Sequence, residues 1–262
     1  MKPIIFFGKE IYIDPVALKL GNIEIYWYGI FIVSAILLCV LLIKKNKDTY
    51  NIKYDDIIDF LLGAIISGFI VARIYYIVFN FKYYIESPLE IIKIWNGGLA
   101  IYGGIIGAAI YAFIFCRKKK IKFYDLADLL LPYLALAQSI GRWGNFVNRE
   151  AYGYETNLPL KMGIFNDATN EYMYVHPTFL YESICTFIIF IILRHVSKKR
   201  KFEGQVLWLY FILYGVARMY IEKLRTDSLM IGEYRVSEVL SLILIIFSVV
   251  MYLYNKKRQK NN

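Results

Sequence analysis

The residues best suited to chemistry in this sequence are arginines, asparagines and a glutamate that directly follow an apolar stretch. The segment GRWGNFVNREAYG, residues 141–153, comes after LLLPYLALAQSI. A charged side chain costs roughly 2.5–3.5 kcal/mol at the middle of a membrane helix, so charge placed next to such a helix indicates a partner or a function. Guanidinium groups bind the oxygens of a phosphate in a planar, bidentate geometry. The segment therefore predicts an anion site with phosphate as the candidate ligand.

Other apolar segments carry polar residues toward the same end. Arg73 lies in the outer part of one segment, while Arg218 and Glu222 close another and, four residues apart, share one side of a helix. Cations at one depth repel one another, and Glu150 and Glu222 offset this repulsion only in part. A lipid phosphate would supply the remaining anion. The alternative is that each arginine extends to the interface or pairs with a glutamate for structural reasons. The residues mapped to this end are Tyr28, Arg73, Asn96, Tyr102, Arg142, Asn145, Asn148, Glu182, Arg218, Glu222 and Arg225.

The elements that must position these residues are membrane helices. The chain has 262 residues, of which 58% are hydrophobic, and they form long blocks near the roughly 20 residues that cross a bilayer. Because lipid cannot satisfy unpaired backbone groups, these segments are expected to be helical. The sequence therefore predicts an all-α fold, a single integral membrane domain over residues 1–262 with about seven transmembrane helices. The predicted spans are 24–43, 57–79, 98–116, 126–143, 178–194, 205–221 and 236–254.

The distribution of positive charge predicts the orientation in the membrane. The net charge is +10, but the basic residues form short clusters between apolar blocks, which argues against nucleic-acid binding and fits cytoplasmic loops under the positive-inside rule. Seven spans with an external N-terminus put all four clusters, KKNK, RKKKIK, RHVSKKRK and KKRQK, on the inner side. The polar segments then face outward and the C-terminus lies inside. Residues 144–177 are expected to form a small extracytoplasmic head within the domain.

Histidine and cysteine show no spacing typical of a metal site. The three cysteines lie inside apolar blocks, as small buried residues do. His195 lies in a basic inner loop. His176 opens HPTFLYE at the outer end of the fifth span, where it either contacts the ligand or forms the start of the helix. No metal and no cofactor are expected.

The glycine-rich stretch GGLAIYGGIIG, which begins at Gly97, has two explanations. Gly103 and Gly107 form a small-xxx-small pair that lets two helices approach closely. The alternative is that the first four glycines of the stretch, among them Gly98 and Gly104, leave room for a ligand near the outer surface. The sequence leaves both explanations open.

Together these segments resemble the bacterial prolipoprotein diacylglyceryl transferase family. GRWGNFVNREAYG matches the family signature Gly-Arg-x-Gly-Asn-Phe-x-Asn-x-Glu-x-x-Gly, and further matches are WYG, GGLAIYGGIIG, HPTFLYE and GVARMYIEKLR. The resemblance implies an enzyme of the bacterial cytoplasmic membrane that moves the diacylglyceryl group of phosphatidylglycerol to the lipobox cysteine of a prolipoprotein. A thioether forms and glycerol phosphate leaves. The seven-span topology with an external N-terminus is also the family's.

The family resemblance implies roles for individual residues of the motifs. Arg142 and Arg218 would bind the lipid phosphate and stabilise the charge of the leaving group, and Glu150 or Glu222 would orient an arginine or accept the thiol proton. Tyr102 stands where many members have a histidine proposed as a base; a phenol is a poorer proton acceptor at neutral pH, so Tyr102 only positions substrate or the base lies elsewhere. The residues expected to be catalytic are Tyr28, Tyr102, Arg142, Glu150, Arg218 and Glu222. The residues expected to bind phospholipid are Arg73, Gly98, Gly104, Arg142, Asn145, Asn148, Gly153, His176, Arg218 and Arg225.

Two other functions fit a membrane protein with an outward-facing anion site. A transporter or flippase for an anionic lipid would need polar groups at successive depths, and the inner halves of the predicted spans are almost uniformly apolar. A non-catalytic scaffold would only hold the lipid. Phosphatidylglycerol and a lipobox peptide separate the three: thioether product indicates the transferase, lipid movement without product the transporter, and binding alone the scaffold.

Overall fold

The computed structural model describes residues 2–45 and 50–261, apart from the side chains of Asn96, Lys260 and Asn261. Part of the first basic cluster, residues 46 and 47, lies outside the described residues. The chain divides into two compact units. The first contains the N-terminal strands, the first helix and the chain from Ala127 onward. The second contains the intervening segment, which ends at Leu126.

Most of the described chain is helical. The α-helices are α1 Trp27–Lys44, α2 Tyr54–Phe79, α3 Phe81–Glu86, α4 Ile101–Lys119, α5 Phe123–Asn148, α6 Thr178–Lys198, α7 Gln205–Glu222 and α8 Val236–Asn261, and two 3₁₀ turns cover Pro88–Ile91 and Ile94–Asn96. Within the described residues, α1, α2, α4, α6 and α8 are long and apolar enough to cross a membrane. The predicted membrane character is thereby confirmed. The helices α5 and α7 occupy the fourth and sixth predicted spans but fall outside that group, so seven crossings stay a prediction.

Strands accompany the helices, and the prediction of an all-α fold is wrong in this respect. The strands are β1 Ile4–Phe6, β2 Lys9–Ile11, β3 Val16–Leu20, β4 Ile23–Tyr26, β5 Met162–Asn166, β6 Glu171–Val175, β7 Met230–Ile231 and β8 Tyr234–Arg235. Four of them form an antiparallel sheet in the order β2-β1-β5-β6, with Ile5 opposite Gly163. The pairs β3–β4 and β7–β8 form hairpins. The expectation of helices rested on the cost of unpaired backbone in lipid, which does not apply to segments outside the bilayer.

An apolar cluster joins this sheet to the two helices that carry part of the candidate site. Phe6 of β1 packs on Phe146 of α5 and Phe179 of α6, with ring centroids 5.5 and 5.8 Å apart, and the two helix rings lie 4.9 Å from each other. All three side chains are buried. Full burial of such a ring contributes roughly 1.5–3 kcal/mol. The cluster therefore fixes how the end of α5 meets the start of α6.

In the second unit α2 and α4 pack closely through glycine. A Cβ at Gly103 would lie 2.7 Å from the carbonyl oxygen of Val71, and a Cβ at Gly107 would lie 2.6 Å from that of Ser67. The Ser67 hydroxyl donates to the carbonyl of Gly107 over 2.9 Å. The small-xxx-small explanation of this pair is confirmed.

The start of α7 is held by a carboxylate from α5. Asp128 is fully buried; its Oδ1 accepts the N–H of Leu207 over 2.8 Å and its Oδ2 accepts the N–H of Gly204 over 2.9 Å. Arg200 donates to the same Oδ2 over 3.0 Å. Asp128 thus supplies the capping acceptor and the negative charge that a helix N-terminus favours. It sets the direction of α7, which carries Arg218 toward its other end.

Candidate functional site

Three helices of the first unit bring charged side chains together. Arg142 of α5 donates to Oε1 of Glu182 on α6, and Nη1 of Arg218 on α7 lies 3.2 Å from Oε2 of the same carboxylate. Nη2 of Arg218 lies 2.6 Å from Oε2 of Glu222, one turn further along α7. Arg142, Glu182, Arg218 and Glu222 are named the arginine–glutamate cluster below. The two arginines that were expected to share a phosphate therefore both contact one carboxylate, that of Glu182.

The carboxylates of this cluster are more deeply buried than its guanidinium groups. The Glu182 and Glu222 side chains are 4% and 1% exposed, whereas those of Arg142 and Arg218 are 24% and 17% exposed. Buried carboxylates are costly unless they are paired, and here each of them contacts at least one arginine. The guanidinium groups are therefore the more accessible part of the cluster.

The way in which α5 ends joins Asn145 and Glu150 to this cluster. The N–H of Arg149 donates to the carbonyl of Phe146 over 3.2 Å, and that of Glu150 to the carbonyl of Asn145 over 3.0 Å. This pair of bonds closes a helix through a left-handed residue, here Arg149 at φ 56°. Asn145 Nδ2 then donates to Glu150 Oε1 over 2.8 Å, and Arg142 Nη1 donates to Asn145 Oδ1 over 3.3 Å. Hydrogen bonds thus link the exposed Glu150 to the buried cluster.

Asn148 and Tyr28 lie beside this helix end. Asn148 Nδ2 lies 3.4 Å from Glu150 Oε1, and its Oδ1 is buried without a hydrogen-bond partner among the described residues. The Tyr28 ring, in the first turn of α1, packs against Gly144 so closely that a Cβ at Gly144 would collide with it. Tyr28 and Asn148 therefore both lie at the C-terminal end of α5.

Gly153 lies where three segments meet. Its N–H donates to the carbonyl of His176 over 3.0 Å, while the next residue, Tyr154, donates its N–H to the carbonyl of Leu224 over 2.8 Å. A Cβ at Gly153 would lie 2.7 Å from both His176 Cβ and the Leu224 carbonyl oxygen. The backbone of His176 thus helps to form the start of α6, and its ring Nδ1 lies 3.3 Å from the Tyr181 hydroxyl.

Two arginines organise the chain that follows α7. Arg225 donates from Nε and Nη2 to the two carboxylate oxygens of Asp227 over 2.9 and 2.7 Å. Partial burial alone would raise the pKa of Asp227, but the hydrogen bond and charge of Arg225 outweigh burial and hold this pKa below its usual value. Arg235 donates to the carbonyl oxygens of Glu222 and Arg225, and to the Tyr154 hydroxyl over 2.9 Å. Arg235 therefore holds the helix end that carries Glu222.

Arg73 belongs to the second unit. All of the N–H donors of its guanidinium are hydrogen-bonded to backbone carbonyl oxygens. Its Nη1 donates to Gly97 and Gly98 over 2.7 and 3.0 Å, and its Nε to Ile91 over 3.1 Å. Its Nη2 donates to the carbonyls of Glu90 and Lys93. A guanidinium has five N–H donors, so the described structure leaves none of them for a phosphate. That Arg73 binds the lipid phosphate stays a prediction; in the structure its side chain holds the segment between α3 and α4.

The other predicted residues of the second unit lie near the start of α4. Gly98 has φ 77° and would meet the Tyr76 ring if it carried a Cβ. A Cβ at Gly104 would lie 3.8 Å from the carbonyl oxygen of Gly68, an ordinary contact. Tyr102 is half-buried in the first turn of α4. A role of these residues alongside the arginine–glutamate cluster stays a prediction.

Sequence reasoning missed three residues that lie in or beside the arginine–glutamate cluster: Glu182, Tyr214 and Arg235. The sequence predicts Glu182 at the same level as Arg142 and Arg218 but not among the site residues, although it closes HPTFLYE, a motif on which the family resemblance rests. The Tyr214 hydroxyl lies 3.5 Å from Glu182 Oε1. Arg235 lies outside every motif quoted above, and no sequence pattern pointed to a role for it. Among the described residues, no group of three His, Cys, Asp or Glu side chains could hold a metal ion.

Comparisons with known proteins agree with the motifs. The family model described as prolipoprotein diacylglyceryl transferase matches residues 15–254. A protein of Finegoldia magna named phosphatidylglycerol–prolipoprotein diacylglyceryl transferase is 46% identical over 94% of this chain and 97% of its own length. Proteins with the same name from Clostridioides difficile and Streptococcus agalactiae are 46% and 45% identical, over 95% and 94% of this chain and 98% of their own lengths. The chain therefore belongs to the prolipoprotein diacylglyceryl transferase family.

Proposed function

We propose that this transferase moves the diacylglyceryl group of phosphatidylglycerol to the lipobox cysteine of prolipoproteins at the arginine–glutamate cluster. The family and the names of the relatives support the two substrates. One observation carries the location of the site: Arg142 and Arg218 come from different helices and meet at Glu182, and both are more exposed than the carboxylate that they share. Such a pair can hold one phosphate between two positively charged groups.

The chemistry required is the displacement of a phosphate ester by a thiol. The lipobox sulfur attacks the glycerol carbon, the carbon–oxygen bond breaks, and a thioether forms. Charge grows on the departing phosphate oxygens, where Arg142 and Arg218 stabilise it. Loss of one positioned donor in such a site costs about 10²–10³-fold in rate. Thiolates are strong nucleophiles, so the leaving group presents the greater difficulty.

Neighbouring groups position the arginines and the lipid headgroup. Asn145 links Arg142 to Glu150 by hydrogen bonds of 3.3 and 2.8 Å, so its amide orients the first guanidinium. The Oδ1 of Asn148, which has no hydrogen-bond partner within the described part of the chain, lies on the same helix ending and can accept a headgroup hydroxyl. Gly153 keeps the loop after α5 against Leu224 and thereby close to the end of α7.

The site faces outward in a multi-pass protein of the bacterial cytoplasmic membrane, with the N-terminus outside and the C-terminus inside. Seven crossings place all four basic clusters on the cytoplasmic side, which supports this orientation. The hairpin of β5 and β6 lies within residues 144–177 and pairs with β1, which supports a small extracytoplasmic head.

Alanine variants test the location of the site. Purified protein, phosphatidylglycerol vesicles and a lipobox peptide are combined, and the thioether product is measured by mass. We expect Arg142→Ala and Arg218→Ala each to lower turnover at least about 100-fold. Arg117→Ala is the matched control, because this arginine lies in the last turn of α4 and packs on the Phe113 ring. Turnover close to normal in both site variants would exclude the phosphate role.

A further inference from the structure

The arginine–glutamate cluster already contains an anion where a phosphate would bind. Two guanidinium groups face two carboxylates, so the formal charge of the cluster is balanced without a ligand. The adjacent Arg225 and Asp227 form a second balanced pair. The expectation that a ligand must offset the arginine charges is therefore corrected, because the protein's own carboxylates do so. A bound phosphodiester adds one negative charge to this balanced group.

The transfer reaction adds a further negative charge at the same place. Before the reaction the phosphodiester carries one charge and the thiol is neutral. When the sulfur–carbon bond forms, the electron pair of the broken carbon–oxygen bond stays on the phosphate oxygen, and glycerol phosphate becomes a dianion. The thiol proton has to go to a base. If that base is a carboxylate that holds the arginines, the extra charge on phosphate and the lost charge on the base cancel within one cluster.

We propose that Glu182 accepts the thiol proton and at the same time releases Arg142 and Arg218 to the leaving phosphate; this step rests on the function proposed above. Glu182 is the carboxylate that both arginines contact. Once protonated, it has a weaker hold on the guanidinium groups. They then pair with the dianion that forms beside them.

Glu222 and Glu150, the carboxylates that contact or hydrogen-bond to members of the cluster, are less suited to this exchange. Glu222 contacts Arg218 and not Arg142, and Arg235 fixes its backbone at the end of α7. Glu150 is exposed and reaches the cluster through Asn145. Neither of them can free both arginines by taking up one proton.

The groups around Glu182 favour a coupled proton and anion exchange. Arg142 approaches from α5, while Arg218 and the Tyr214 hydroxyl approach from α7. Cys185 lies one turn further along α6, and the charge of Arg225 acts on Glu182 from the segment after α7. Around carboxylates buried this deeply charges interact strongly, so one negative charge is accommodated best when another is removed.

A glutamine variant separates binding from turnover. Glu182→Gln keeps the side-chain shape and one acceptor oxygen, replaces the other oxygen by an NH₂ donor and loses the negative charge. We expect this variant to bind phosphatidylglycerol vesicles at least as tightly as the unmodified protein, while kcat falls about 10²–10⁴-fold, the range typical of a lost general base. Glu182→Asp should recover part of that loss because it restores a carboxylate. Normal kcat in Glu182→Gln, or weaker lipid binding with unchanged kcat, would overturn the proposal.

Proton uptake provides a readout that a merely structural glutamate would not change. Glycerol phosphate is titrated into the purified protein at about pH 8, where it is a dianion, in buffers with different ionisation enthalpies. We expect the unmodified protein to take up close to one proton per dianion bound, and Glu182→Gln to take up almost none. Asp167→Asn, a carboxylate control at an exposed aspartate of the β5–β6 turn, should behave like the unmodified protein in this titration. Equal proton uptake with and without Glu182 would refute the exchange.

The same assays distinguish this proposal from the function on which it rests. If the unmodified protein forms no thioether from phosphatidylglycerol and a lipobox peptide, the proposed function fails. If it forms the thioether and Glu182→Gln does so at the same rate, the function stands and the role of Glu182 fails.

Discussion

Arg142 and Arg218 lie on different helices and contact opposite oxygens of one carboxylate, that of Glu182. This shared contact holds the two guanidinium groups side by side without a ligand. Electrostatic stabilisation is most effective when the donors are already in position, because the site then needs little reorganisation during the reaction. The relative placement of the arginines is therefore as important to the proposed site as their charge.

Replacing Arg218 by lysine tests whether geometry is needed in addition to charge. Arg218 uses Nη1 for Glu182 and Nη2 for Glu222, and a single ammonium cannot reproduce this planar fork. We expect Arg218→Lys to lower thioether formation about 10²-fold. The control is Arg117→Lys, which should leave the rate unchanged. A normal rate in Arg218→Lys would show that charge alone is sufficient.

Two glycines of the same motif should respond differently to replacement by alanine. A Cβ at Gly153 would lie 2.7 Å from His176 Cβ and from the Leu224 carbonyl oxygen, whereas a Cβ at Gly141 meets nothing within 4 Å. Overpacking of this kind costs about 1–3 kcal/mol, so Gly153→Ala should lower the thermal midpoint in detergent and reduce turnover. Gly141→Ala, within α5, should be neutral or stabilising by up to about 1 kcal/mol. Equal midpoints for the two variants would contradict the close packing at Gly153.

Tyr102→Phe should retain substantial activity. The variant removes the hydroxyl and keeps the ring in the first turn of α4, and a phenol is a weak proton acceptor at neutral pH. The proposed acceptor, Glu182, is unchanged in this variant. Thioether formation by Tyr102→Phe is compared with that of the unmodified protein after a check of thermal unfolding. A folded variant without activity would assign an essential role to the hydroxyl.

The sequence predicted those parts of the fold that follow from local pattern. Long apolar blocks predicted the helices α1, α2, α4, α6 and α8, because the bilayer demands both length and hydrophobicity. The sheet was not predictable in this way. Its strands are three to five residues long, and β1 pairs with β5 from a distant part of the chain. Such short segments have too few residues to show a clear alternation.

For the site, sequence reasoning found which helix ends carry charge but not which groups pair. Arg142 and Arg218 were expected to converge, and the structure shows that a carboxylate brings them together. Arg73 had the same residue type and a similar position in its segment, yet its guanidinium binds backbone carbonyls. A carbonyl and a phosphate both present oxygen acceptors, so residue type cannot distinguish these two partners.

Arg73→Lys should loosen the segment between α3 and α4. The guanidinium donates to five carbonyls between Glu90 and Gly98, and an ammonium with three donors cannot satisfy all of them. We expect faster hydrogen exchange and faster proteolysis confined to this segment. Arg117→Lys, the same substitution outside this segment, serves as the control. Unchanged exchange in Arg73→Lys would show that the carbonyl contacts do not hold the segment.

Asp227 should contribute to stability in a pH-dependent manner. Arg225 holds the pKa of Asp227 below its unfolded value despite partial burial, so the pair stabilises the folded state above that unfolded value, which is near 3.9. The stabilisation is lost as the pH falls through the folded pKa. The side chain is 49% exposed, and solvent therefore keeps the effect small.

The measurement is the thermal midpoint in detergent between about pH 7 and pH 3, for the unmodified protein and Asp227→Asn. At neutral pH the variant should unfold at a lower temperature, because Arg225 loses a charged partner while it stays largely buried, with 11% of its side chain exposed. As the pH falls below the unfolded pKa of aspartate and through the lower folded pKa of Asp227, the stabilisation by this charge is lost from the unmodified protein, and the two midpoints should converge. Asp167→Asn, at an exposed aspartate of the β5–β6 turn, is the matched control. A difference between the Asp227→Asn and unmodified midpoints that persists at low pH would mean that Asp227 acts through its shape and not through its charge.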